Sequence, residues 1–191
     1  MKYHLLFSVA LVFTAASGWA QRIRTTEWES GMLEKGKKSG VWEYYAPTRD
    51  GKVMVQKYDH STNKLLFYRP IEDIEYNVEL QLGQWSRNHV DQPPLYLGGE
   101  QPLALFLAGN LIYPVRAQEA KMQGKVLVSF AIDTLGHASN HKIVLRVGGG
   151  CDEEALRVCR NIPNQWIPAR KDGRAVAVQY ELPVVFRMPT N

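Results

Sequence analysis

Apolar and polar residues alternate strictly in one stretch of the chain, and apolar residues share a parity in a second. Ile74, Tyr76, Val78, Leu80 and Leu82 are interleaved with Glu75, Asn77, Glu79 and Gln81, a period of two that predicts a half-buried strand. Towards the C-terminus Val176, Val178, Tyr180, Leu182, Val184, Phe186 and Met188 share one parity, which predicts the longest strand. Pro183 falls on the opposite parity. A proline inside a strand belongs at an edge, where its missing N–H costs no ladder bond. This last strand is therefore expected to leave one side unpaired.

Shorter patterns fill in the rest. Val41 to Tyr45, Lys52 to Tyr58 and Lys64 to Tyr68 carry the aromatic and β-branched residues that suit strands. Pro47, Asp50-Gly51 and Ser61-Thr-Asn63 supply turns between them. Together with the 74–82 strand they predict a small antiparallel meander over residues 21–87. Residues 88–101, rich in Pro, Gly and polar side chains and without a period, read as a linker. Beyond it, Pro102 to Asn110 predicts a short helix, and Pro114 to Lys121 another turn or two that Gly124 ends. Val126, Val128, Phe130 and Ile132 alternate along a strand, and Asp133-Thr-Leu-Gly136 closes a hairpin onto a return strand from Lys142 to Val147. Gly148-Gly-Gly150 stops that strand. The next helix starts near Asp152, its acidic first turn suiting the positive end of the helix dipole. Its apolar face is Ala155, Cys159 and Ile162, with Leu156 and Val158, and Pro163 ends it. The fold class is α+β: a C-terminal αββαβ domain over residues 102–191, with a three-stranded antiparallel sheet and helices on one face, preceded by the meander.

The first twenty residues bear on compartment. Lys2 precedes an apolar run from Leu5 to Ala16, and Gly18 and Ala20 place small residues at −3 and −1 before Gln21. That is the layout of a cleavable secretory signal peptide, and it predicts an exported protein, periplasmic if the family resemblance given below holds; the rival reading is an uncleaved anchor in the inner membrane. The formal net charge of +4 is scattered apart from Lys35, Lys37 and Lys38, so no basic stripe marks a nucleic-acid surface. The only cysteines are Cys151 and Cys159. On one helix they would lie ~12 Å apart, beyond the ~7 Å a disulfide tolerates, so both are expected free.

The remaining motifs bear on chemistry. The five histidines, at 4, 60, 89, 137 and 141, have no acidic or thiol partners at metal-ligand spacing and read as scattered polar residues. Three carboxylates after Gly148-Gly-Gly150 would repel a phosphate, and no nucleophile elbow is present. The sequence therefore predicts no catalytic residues, no cofactor, no metal and no small-molecule substrate.

Two resemblances add to this reading. Gly36-Lys-Lys-Ser-Gly-Val-Trp-Glu-Tyr-Tyr45, with Gly51-Lys52 and Tyr58-Asp59, resembles one MORN-like repeat. More specifically, residues 93–188 resemble the TonB C-terminal domain. The residues that carry this are Pro94-Leu-Tyr-Leu-Gly-Gly99, Tyr113-Pro114, Gly124-Lys-Val-Leu-Val-Ser-Phe130 and Ile132-Asp-Thr-Leu-Gly136. They continue with Cys151-Asp-Glu-Glu-Ala-Leu-Arg-Val158, Trp166-Ile-Pro168, Gly173 and Leu182-Pro-Val-Val-Phe186. The resemblance implies that an exposed last strand pairs with an extended segment of an outer-membrane TonB-dependent transporter, supporting energy-coupled transport. Mapped here, the docking strand is Arg174 to Phe186, with pairing concentrated on Val176, Ala177, Val178, Gln179, Tyr180, Glu181 and Leu182, and Tyr113 and Pro114 at its flank. The alternative, from the same edge strand, is a structural or interaction protein that binds another periplasmic partner or forms a homodimer, without energy transduction. A long Pro-rich arm of the kind TonB carries is not found in residues 22–92, which puts transduction in question.

Overall fold

The computed structural model describes residues 21–70 and 75–188. The expected signal segment lies outside the described residues, as does Ile74 of the alternating strand. The chain divides into two units, Met1–Arg69 and Pro70–Asn191. The division thus falls well before the 88–101 stretch in which the sequence suggested a linker.

The first unit is a five-stranded antiparallel sheet in chain order: β1 (Gln21–Thr25), β2 (Glu29–Glu34), β3 (Lys37–Thr48), β4 (Gly51–Asp59) and β5 (Lys64–Tyr68). Strands β3 to β5 match the sequence pattern; β1 and β2, made largely of polar residues, were not anticipated. Lys35 and Gly36 both have positive φ (51° and 77°), the two-residue turn whose twist matches a hairpin, and this turn joins β2 to β3. The carboxylate of Asp59 shapes the β4–β5 turn by accepting from the Ser61 N–H and the Thr62 hydroxyl, both at 2.8 Å. Trp42 is fully buried and Tyr44 nearly so. The Trp42 ring lies over Gly31, where any Cβ would collide with it, and its Nε1–H donates to the Met32 carbonyl at 3.0 Å. The MORN-like segment forms the β3–β4 hairpin within this single sheet.

His60, which has no partner pattern in the sequence, belongs to this aromatic cluster. Its ring sits edge-on to Trp42 and Tyr58, and Nε2 shares a 2.7 Å hydrogen bond with the Tyr44 hydroxyl. Burial lowers its pKa, as does the Lys38 cation.

The second unit is α+β. Its helices are α1 (Glu100–Asn110), α2 (Val115–Glu119) and α3 (Cys151–Arg160). Its strands are β6 (Tyr76–Gln81), β7 (Gln84–Asn88), β8 (Leu95–Tyr96), β9 (Gly124–Ile132), β10 (Ala138–Leu145), β11 (Trp166–Ile167), β12 (Ala169–Lys171) and β13 (Arg174–Phe186). The main sheet runs β10-β9-β13-β6-β7, with β12 also paired to β13. The expected three-stranded sheet β10-β9-β13 is present but enlarged. The alternating strand, expected in the N-terminal meander, instead pairs with the last strand of the chain and brings β7 with it. Residues 88–101 also fold within this unit: β8 pairs with β11, and the Asp91 and Gln92 N–H groups both donate to the Arg170 carbonyl.

The core of the second unit combines Val126, Val128, Phe130 and Ile132 of β9 with Val178, Leu182, Val184 and Phe186 of β13, under Ala155 and Cys159 of α3. Helix α3 packs over β9 and β10. Asp152 closes its N-terminal end by accepting from the Val147 and Gly148 N–H groups at 2.8 and 3.3 Å. Glu154 accepts from the Ile112 N–H at 2.7 Å and holds Arg157 by two 2.7 Å bonds, and Arg157 in turn donates to the Asn110 carbonyl at 2.8 Å. These bonds tie the α1–α2 connection, which carries Tyr113 and Pro114, to α3. Cys151 and Cys159 are both free and buried, and burial pushes the Cys159 thiol up to about 12. No helix among the described residues is long and apolar enough to cross a membrane.

Candidate strand-docking edge

The parity expected for the last strand places Val178, Leu182, Val184 and Phe186 in the core and Glu181, Pro183 and Val185 on the opposite, exposed face. Along one side, β13 pairs with β9 continuously from Val178 to Phe186, with Pro183 opposite Leu127. β6 also pairs with β13, but only at Ala177↔Glu79, Val178↔Val78 and Gln179↔Asn77. At the N-terminal end, Arg174, Ala175 and Val176 pair with β12 across the Asp172-Gly173 turn.

These registers divide the seven expected docking residues. Val176 pairs with Ala169, and Ala177, Val178 and Gln179 carry β6. Tyr180, Glu181 and Leu182 have β9 as their partner strand among the described residues, and so do Pro183 to Phe186. Among the described residues only Val178 and Gln179 have a partner strand on both sides; Arg174–Val176 pair with β12 alone and Ala177 with β6 alone. The longest segment with a single partner strand is Tyr180–Phe186.

The chemistry of that segment is apolar and aromatic on its inner face. Tyr180 lies 5.1 Å from the Trp166 ring and 5.6 Å from Phe130, centroid to centroid. Burial pushes its phenol up to about 12, with smaller contributions from Tyr76 and Glu100. Tyr96 meets Trp166 edge-on, and His141 stacks on Phe130 at 4.8 Å. The buried Trp166 Nε1–H and His141 Nε2 have no hydrogen-bond partner among the described residues. His141 is thus an aromatic platform member rather than a free polar group, and burial, then Arg160, lowers its pKa.

Tyr113 sits at the far end of β13. Its ring meets Phe186 edge-on at 5.6 Å, and its hydroxyl donates to the Met122 carbonyl at 2.6 Å. Both interactions are internal to the unit. Pro114 caps α2, its carbonyl accepting from the Gln118 N–H at 3.0 Å. The two residues flank the strand terminus rather than its β6-covered positions. What sequence reasoning missed is the hairpin: the Asn77 side-chain amide donates to the Gln179 carboxamide oxygen at 3.1 Å across the new strand pair. Among the described residues no group of His, Cys, Asp and Glu could hold a metal ion.

Residues 109–188 match the family model described as the Gram-negative bacterial TonB protein C-terminal. The match begins near the end of α1 and runs past β13; the β6–β7 hairpin and the first unit lie outside it. It spans less than half of the chain. No curated protein matches the chain. Among solved structures, the NMR solution structure of the TonB C-terminal domain of Helicobacter pylori aligns at 22% identity, over 48% of this chain and 95% of that one, with a TM-score of 0.37. The C-terminal half of this chain is thus similar in sequence to TonB C-terminal domains.

Proposed function

We propose that this protein is a periplasmic binding module that grips a short extended segment of an outer-membrane TonB-dependent transporter by strand addition to β13. The observation that carries the reading is the Tyr180–Phe186 stretch, paired on one side by β9 and with no second strand among the described residues. The TonB C-terminal match over residues 109–188 supplies the partner class. Main-chain hydrogen bonds of an added strand supply affinity, and the side chains along it supply selection. The chain reaches the periplasm through its N-terminal signal segment and performs no catalysis.

A second reading is a periplasmic interaction protein that uses the same edge for another partner or a second copy of itself. The partial cover of β13 by β6 favours it, because that cover lies outside the stretch similar to TonB. One experiment separates the two: disulfide trapping between Glu181→Cys and transporter N-terminal segments carrying a cysteine at each position in turn. Strand addition gives cross-links at alternating peptide positions; an equal yield at all positions, or none, overturns it. Trapping of Glu181→Cys with itself instead would select the homodimer.

A further inference from the structure

The β6–β7 hairpin is seated on β13 at Ala177–Gln179, directly before the Tyr180–Phe186 stretch, and its hold there is short. β6 meets β13 at three register positions, against the unbroken β9 pairing from Val178 to Phe186 on the other side. Of the hairpin's side chains only Tyr76 and Val78 are buried. Leu80 is half-exposed and Leu82, at the tip, is 97% exposed, and Trp85 of β7 is only part-buried. The other residues of β7, Gln84, Ser86, Arg87 and Asn88, are polar, of the kind that blunt a sheet edge against further pairing.

We propose that β6 is a displaceable occupant of β13, and that the partner is an extended peptide that takes its place with the same side-chain pattern. The inference rests on the strand-addition reading and specifies the peptide. The incoming strand runs antiparallel to β13. It carries a polar residue facing the Gln179 carboxamide and a β-branched residue opposite Val178, the positions of Asn77 and Val78, preceded by an aromatic residue where the buried Tyr76 stands. A strand lacking the two apolar residues would leave open the buried spaces that Tyr76 and Val78 fill, so the hairpin selects against it. The docked hairpin also lowers the apparent affinity of any partner that needs the Ala177–Gln179 positions, by the fraction of molecules in which they are uncovered.

The test uses the full chain with Asn77→Cys and Gln179→Cys, which face each other across the β6–β13 pair, while the native thiols are buried. The probe is a synthetic peptide copying Tyr76 to Gln81, followed by fluorescence anisotropy. Displacement predicts binding by the reduced protein and at least a tenfold loss when the new disulfide forms, restored by reductant. Equal binding in both states overturns it. Should the reduced protein bind too weakly to measure, Val78→Asp in an otherwise unaltered chain provides the second arm. Expelling the apolar anchor raises peptide affinity about tenfold if the hairpin competes, and continued absence of binding overturns the proposal. Transporter segments run alongside keep the two readings apart. Their binding to the locked form would leave strand addition at Tyr180–Phe186 standing and remove displacement. Binding of the copied peptide, with no transporter segment bound in any form, would do the reverse.

Discussion

Two antiparallel sheets in one chain reach a buried interior by different routes. In the first unit the buried side chains among the described residues are Trp42, Tyr44 and Gln56. In the second, a connected cluster runs from Tyr76 through β9 and α3 to Phe186. The second sheet has α3 to cover its apolar face. The first has no helix among its described residues and concentrates its packing on one indole over one glycine. A sheet without a covering layer depends heavily on each residue it does bury. That dependence should appear most clearly when a large side chain is removed from each unit.

The largest effect is expected for Trp42→Ala. Truncating a fully buried Trp or Phe costs about 3–5 kcal/mol, much of the total stability of a small domain. Hydrogen exchange should show protection lost across β2, β3 and β4. Phe130→Ala removes a comparably buried ring from the second unit, but the surrounding cluster should keep β9 and β13 protected while the denaturation midpoint falls. If both variants merely weaken their units to a similar degree, the contrast between the sheets is broken.

Two glycines sharpen the same comparison at a smaller scale. A Cβ on Gly31 would collide with the Trp42 ring, and one on Gly136, where φ is +84°, with the Trp166 backbone carbonyl. Overpacking of a filled site costs about 1–3 kcal/mol, and alanine at a positive φ adds backbone strain. Gly136→Ala should therefore lower the midpoint of the second unit more than Gly31→Ala lowers that of the first. A ring can tilt more readily than a β11 carbonyl can move. Denaturant titrations of the two variants check the order.

How far the sequence revealed these arrangements depended on which physical signal each needed. The period-two pattern identified both strands and the buried face of β13, because burial of alternate residues is local information; in β6 that face holds only at Tyr76 and Val78, while Leu80 and Leu82 of the same parity are exposed. It could not say which sheet β6 joins, since alternation names a face and no partner. Val78 and Tyr76 are apolar whether they pack in the meander or against β13. β1, β2 and β7 carry mostly polar residues and have no alternation to detect. β12 did have a usable signal: Asp172-Gly173, with φ of 49° and 72°, is a strong hairpin dipeptide. The return strand β10 begins earlier than its apolar run, at Ala138, because Asn140 with φ 55° opens a bulge there. For the docking edge, the sequence marked the strand itself but not the positions that the chain covers.

Acidification should weaken both units through one histidine each. Burial lowers the pKa of His60 and of His141 below the ordinary 6.5. The unfolded chain then binds the proton first, so their stability contribution is complete above about pH 6.5 and declines as pH falls towards the folded-state value. The carboxylates held low in the fold, Glu43, Asp59, Asp133 and Glu154, have ordinary values of 3.8 to 4.5, so their contribution is lost only in more acidic solution. Denaturation midpoints between pH 7.5 and 5 thus isolate the histidines. His141→Phe, which retains the stack on Phe130, should flatten the profile of the second unit and leave that of the first unchanged.

The smallest expected change tests how the first unit maintains its single cluster. Lys38 Nζ lies 2.5 Å from the Glu29 carboxylate and sits over the rings of Trp42 and Tyr44 at 4.4 and 4.8 Å. Its cation lowers the His60 pKa, whereas the Glu29 and Asp59 carboxylates raise it. Lys38→Met keeps a chain of similar length across the indole but removes the charge. The stability cost should be modest, about 1 kcal/mol for the cation–π contact at a part-buried site, with an ion-pair term of similar or smaller size. The His60 titration is the more direct readout. With the lysine gone, Glu29 acts on the imidazole without its closest counter-ion, and His60 should titrate at higher pH when followed by NMR. Glu29→Gln should move it the other way. If neither substitution moves the titration, burial among Trp42, Tyr44 and Tyr58 alone sets the His60 pKa, and the charged pair beside the cluster serves packing only.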